Sequence, residues 1–163
     1  MTATWTAPRT WTTGELVTAS IMNTHVRDNL DWLKTPVESG NITFAADFTT
    51  TSATYTDVTG ITTTITTVGG GLDIFWRCTL FTSTTAVVVF QVLIDGVSEE
   101  ILGTAVVSSS TNIESCFYHH AAAKSAGSHT IKIQVKTSAG TLTVRGTTGA
   151  TGDPFFFVRE IGD

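Results

Sequence analysis

Three segments of this chain are apolar on both faces of an extended strand. In 71–82, Leu72, Ile74, Trp76, Cys78 and Leu80 share one parity, leaving Phe75 and Phe81 on the other. In 86–94, Val87, Val89 and Leu93 oppose Val88, Phe90, Val92 and Ile94, and near the C-terminus Phe155 and Phe157 oppose Phe156 and Val158. Successive side chains of a strand point to opposite faces, and a two-layer sandwich buries only one face of each sheet. The second face therefore needs a cover. A packed helix or a thicker fold would provide one. A subunit interface is the favoured reading, because large exposed apolar patches mark interaction surfaces, and closed symmetric oligomers are the commonest assemblies.

The rest of the chain supports an all-β domain. Charged residues make up 14%, while Thr alone supplies roughly a fifth, far above average usage. Thr is β-branched and half polar, which suits strand positions facing water. From Asn41 onward, turn residues punctuate strands expected near 41–48, 53–59, 61–68, 71–82, 86–95, 97–107, 112–123, 128–137, 140–147 and 154–161. Asp95-Gly96 is a hairpin signal. Ile131, Ile133 and Val135 alternate with Lys132, Gln134 and Lys136, one face dry and the other wet. The expected fold is mainly β, an antiparallel jelly-roll-like sandwich over 41–163.

Residues 1–36 have a different character, an arm followed by one short helix. Thr18 or Ser20 can cap it, and Ile21, Met22, Val26, Leu30 and Leu33 recur at helical spacing before Pro36 stops it. Such a helix cannot fold alone and must dock on something. Trp5, Trp11 and Trp32 lie in or beside it, and Trp is favoured at binding hot spots. The arm and helix are expected either to attach the protein or to pack on their own sandwich.

This segment resembles the N-terminal segment of small structural proteins of tailed bacteriophages. The residues that carry the likeness are Trp11, Gly14-Glu15, Val17-Thr18-Ala19, Asn23 and Val26-Arg27-Asp28-Asn29-Leu30. Gly127-Ser128-His129-Thr130-Ile131-Lys132-Ile133-Gln134-Val135 is similar to a strand seen in β-domains of phage fibres and capsid decorations. The resemblance implies a virion component, attached to capsid or tail proteins and commonly trimeric.

Chemistry is sparse by comparison. His119 and His120 are adjacent, so in a strand they point apart and cannot easily share a metal with His129. Asp95 with Glu99-Glu100 reads as a solvated hairpin, and the scattered Asp47, Asp57 and Asp153 give no calcium spacing. No Gly-x-Ser-x-Gly elbow occurs. Gly69-Gly70-Gly71 lacks the Lys-Ser/Thr of a phosphate loop and reads as a flexible turn. Cys78 and Cys116 both read as reduced core thiols. No catalytic residue, metal or cofactor is expected. Nine basic against 14 acidic residues, a net charge of −5 without clusters, argue against nucleic acid as a partner.

No signal peptide is read in Met1–Arg9, and no apolar run is long enough to span a bilayer. The expected function is a non-enzymatic surface protein of a tailed-phage virion, made in the host bacterial cytoplasm. It is expected to be a homo-oligomer, specifically a trimer, serving as head decoration or short fibre. The expected attachment and oligomer surface comprises Trp5, Trp11, Met22, Val26, Leu30, Trp32, Phe75, Phe81, Val88, Phe90 and Val92. The alternative is a receptor-binding tail protein whose partner is a host surface glycan.

Overall fold

The computed structural model describes residues 6–34, 36–107, 112–147 and 153–161. Nine strands form two antiparallel sheets: β1 (Phe48–Thr50), β2 (Thr56–Thr67), β3 (Gly71–Thr82), β4 (Ala86–Ile94), β5 (Val97–Val107), β6 (Ile113–Ala121), β7 (Gly127–Thr137), β8 (Leu142–Val144) and β9 (Phe155–Ile161). One sheet runs β1-β8-β3-β6, with β9 also paired to β3, and the other runs β2-β7-β4-β5. Most connections therefore cross between sheets, and only β4–β5 and β8–β9 stay within one. This interleaving is that of a jelly roll.

The parity read from sequence decides what lies between the sheets. Leu72, Ile74, Trp76, Cys78 and Leu80 of β3 face Val88, Phe90, Val92 and Ile94 of β4, with Ile131, Ile133 and Val135 of β7 and Phe156 and Val158 of β9. Trp76 is the centre, in ring contact with Phe44, Phe90 and Phe156 at 6.3–6.5 Å. Val88, Phe90 and Val92 were expected at an oligomer interface. All three are instead fully buried within the single chain, because their parity is the one that meets the opposite sheet. Burying each of the larger ones stabilises the fold by roughly 1.5–3 kcal/mol.

Three strand boundaries differ from expectation. The segments 53–59 and 61–68 form one strand, β2. Gly60, at φ +87°, bends it where the register with β7 shifts between Asp57 and Thr62, so this glycine marks a bulge and not a turn. The expected strand 41–48 reduces to a bridge between Ile42 and Phe156, with β1 beginning only at Phe48. The C-terminal part of 140–147 leaves the ladder after Val144.

The helical stretch consists of α1 (Ala19–Met22), a π turn (Asn23–Arg27) and α2 (Asp28–Lys34). Thr18 caps it, its hydroxyl accepting from the Ile21 amide at 3.3 Å. Beyond Pro36 the chain runs beside β9: Glu160 donates to Val37, Ser39 to Val158 and Ile42 to Phe156, each at 2.8 Å. Residues 37–42 thus cover the edge of β9 and tie the helix to the sandwich.

Candidate functional site

Two surfaces stand out, and the N-terminal unit is the first. Among the described residues, six of the ten exposed large hydrophobics belong to it: Trp11, Leu16, Val17, Met22, Leu30 and Leu33. Met22, Leu30 and Leu33 share a stripe of the helix with half-buried Val26, and they are 44–61% exposed. The neighbouring stripe is inward, with Asn29 and Trp32 buried. Trp32, expected as an exposed anchor, instead shares a cavity with Pro36, Arg159 and Ile161 at the end of β9. Trp5 lies outside the described residues.

Asn29 explains how the arm is held. Its Oδ1 accepts from the Thr6 amide at 2.9 Å while its Nδ2 donates to the Thr6 carbonyl at 2.8 Å. This two-point clamp mimics a strand partner and fixes the arm along the helix. Farther along the arm, Arg9 pairs with Glu15 and lies 5.0 Å over the Trp11 ring. Glu15 in turn closes a turn by accepting from the Thr12 amide. The arm is therefore ordered with its apolar side chains still facing outward.

The second surface is the outer face of the five-stranded sheet. Phe75 of β3 sits between Tyr118 of β6 at 5.0 Å and Phe157 of β9 at 6.2 Å, and Phe155 stacks on Phe157 at 6.1 Å. Phe81 lies farther along β3, with the Arg145 guanidinium 5.0 Å over its ring. Phe75, Arg77, Cys116 and Phe155 line an open cavity of about 320 Å³. Sequence parity placed Phe75 and Phe81 on this face correctly. It did not place Tyr118, whose neighbours are set by cross-strand register.

At one end of this face Asp73 is almost buried. Its Oδ1 accepts from the Tyr118 hydroxyl at 2.7 Å and meets His120 Nδ1 at 3.1 Å, and its Oδ2 accepts from Arg159 at 3.1 Å. Burial alone would raise the Asp73 pKa, but these hydrogen bonds outweigh it and leave the carboxyl below its usual range. The same bond raises the Tyr118 hydroxyl above its ordinary value.

The outer face of the other sheet is of opposite character. A hydrogen-bonded ladder crosses all four of its strands: Ser98 donates to Gln91 at 3.2 Å, Gln91 to Gln134 at 2.6 Å, and Gln134 to Asp57 at 2.7 Å. Lys132 completes it by donating to Asp57 at 2.9 Å. That face is polar along this ladder, with exposed Val87 and half-buried Val89 beside it.

The expected candidates for chemistry resolve into structural roles. His119 points inward to Glu100 and His120 outward to Asp73, so the adjacent pair does point apart. Asp95 and Glu99 pair with His129 and Lys124. Among the described residues no group of three His, Cys, Asp or Glu side chains is placed to hold a metal ion. Cys78 is buried, and burial pushes its thiol far above the ordinary range. Cys116 is exposed on the outer face, contrary to the core thiol expected, because its parity opposes that of Phe117. No described helix is long and apolar enough to cross a membrane.

No protein-family model matches this chain, and no curated protein matches it in sequence. Solved structures share its fold. A structure of infectious bursal disease virus Gt strain is 16% identical with a TM-score of 0.51, the match covering 78% of this chain and 38% of that one. Eiger TNF from S. frugiperda is 13% identical, with 79% and 95% covered and a TM-score of 0.46. Murine APRIL is 10% identical, with 78% and 100% covered and a TM-score of 0.48. At such identities the likeness is one of jelly-roll architecture.

Proposed function

We propose that this chain is a non-enzymatic structural protein of a tailed-phage virion surface. In this reading it is a homo-oligomer, a trimer, whose copies join one another and the particle through the arm and helix. One observation carries this reading: of the ten exposed large apolar side chains among the described residues, six lie on a short N-terminal unit that the Asn29 clamp holds in shape. An ordered apolar surface of this kind on a segment outside the core is expected of an attachment element. The resemblance of the Trp11-to-Leu33 segment to phage structural proteins supplies the particle. Immunogold micrographs of virions assembled with a tagged copy of this chain test it. Label at regular positions on head or tail is expected, and unlabelled particles in a lysate rich in the free protein would overturn it.

A further inference from the structure

The outer face of the five-stranded sheet remains after attachment is assigned to residues 11–33. Along β3 it alternates rings and guanidiniums. Arg145 and Phe81 come first, then Arg77 beside Phe155, then Phe75 between Tyr118 and Phe157, and last Arg159 over Asp73. From Phe81 to Asp73 this track covers roughly 26 Å at the rise of a strand. Arg77 donates to the neutral carbonyl of Asp153 and Arg145 to the neutral amide oxygen of Asn112, bonds that leave both charges in place. Of the carboxylates at the track, Asp73 has both oxygens occupied by Tyr118, His120 and Arg159, and Glu114 lies at its β6 edge opposite Thr79.

We infer that this face binds an extended acidic polysaccharide, its sugar rings lying on the aromatic side chains and its carboxylates reaching Arg77 and Arg145. The open cavity between Phe75 and Phe155 is a seat for one ring, with Arg77 at its wall. Flat aromatic faces take the apolar face of a pyranose, and a guanidinium matches a carboxylate bidentately. Charge complementarity selects an acidic over a neutral chain. A nucleic acid, with a phosphate on every unit, would need clustered cations, whereas here rings separate the arginines and Glu114 borders them. This inference goes beyond the attachment reading and does not depend on it.

Isothermal titration of the full-length protein with a galacturonic-acid oligomer tests it, with a maltooligosaccharide and an oligodeoxynucleotide as comparisons. Binding of the acidic oligomer is expected, absent for the neutral one and weakened by salt. Arg77→Ala should weaken it about tenfold and Tyr118→Ala should weaken it too, with both variants keeping the wild-type circular dichroism spectrum. Equal binding of the neutral oligomer, tighter binding of the oligodeoxynucleotide, indifference to Arg77→Ala, or no heat with any of them would overturn it. So would a loss of self-association in Tyr118→Ala, since the face would then be a subunit contact. That last outcome would also move the contact between copies from residues 11–33 to the sheet, whereas the binding outcomes leave the attachment reading untouched.

Discussion

The Gly70 amide donates to the Glu160 carboxylate at 2.6 Å in the interior of the sandwich. Val68 and Gly69 add their amides at 2.9 and 3.0 Å, so three successive N–H groups converge on one buried anion. A turn of this kind is a ready-made anion cradle, and here its occupant is the chain's own carboxylate. The turn that looked flexible in sequence is the latch between the β2–β3 connection and the last strand.

Removing the charge should loosen that latch. Glu160→Gln is expected to lower stability by about 1.5–3 kcal/mol, the usual worth of hydrogen bonds to a buried charged group. Gly70→Ala should cost at least as much, because an added Cβ would sit 2.1 Å from the Ile161 carbonyl oxygen. Thermal unfolding of both variants checks this, and a melting temperature unchanged in either would contradict it.

The two aromatic parities of the strands should respond differently to charge. Phe90 is buried between the sheets, so Phe90→Asp places an unpaired carboxylate in the core and should yield unfolded or aggregated protein. Phe75 is half-buried on the outer face, so Phe75→Asp should remain soluble with a native circular dichroism spectrum. Identical behaviour of the two variants would contradict the assignment of faces.

A histidine at the β4–β5 hairpin gives the fold a pH dependence. His129 Nδ1 meets Asp95 at 2.7 Å and its Nε2 meets the Ser125 carbonyl at 2.8 Å; both partners are acceptors, so both bonds form together only when the ring is doubly protonated. The Asp95 contact first, then Ser125, raises the His129 pKa, while Lys124, itself paired with Glu99, opposes it. Asp95 is correspondingly lowered, chiefly by His129 and then by the Thr130 amide. The stabilisation from His129 is complete below its ordinary pKa and is lost as pH rises through the raised one. That from Asp95 is present above its ordinary pKa and lost as pH falls through the lowered one. Their shared window therefore lies at about pH 4–6.5. Asp95 is half exposed, so the gain is a few tenths to about 1 kcal/mol. The difference in melting temperature between wild type and His129→Gln should be greatest in that window and shrink toward alkaline pH. A difference growing with pH would contradict the pairing.

Much of this was legible in the sequence because parity and punctuation are local. The alternation of Ile131, Ile133 and Val135 gives β7 its dry face, Asp95-Gly96 gives the hairpin, and Thr18 with Pro36 brackets the helix. What depended on distant partners was not. Val88 and Val87 carry the same side chain on opposite parities, so only the opposing sheet could reveal which lies inside. The helix stripe of Met22 and Leu30 was legible as apolar, but which stripe turns inward depends on the arm, through Asn29 and Thr6. Gly60 reads as a turn unless the register with β7 is known. One signal was present and missed: Glu160 falls on the same parity as Phe156 and Val158, a charge in a core position that demanded a partner.

The arm clamp can be broken without touching the sandwich. Asn29→Ala removes both bonds to Thr6, at a cost to the arm of about 1–2 kcal/mol, while the core, which contains no helix residue, is untouched. Faster amide exchange at Thr6 with unchanged unfolding of the β-domain is expected. Unchanged exchange there would show that the arm is held by something else.

The central claim is that the exposed apolar surface of the arm and helix joins copies of this chain. Sedimentation equilibrium of the full chain beside one lacking residues 1–35 tests it most directly, since the retained segment from Pro36 keeps the cover on β9. Three times the 17.3 kDa chain mass is expected for the full chain, and the mass of a single chain for the shortened one. A full-length protein that sediments as a monomer, or a shortened one that still assembles, would contradict it.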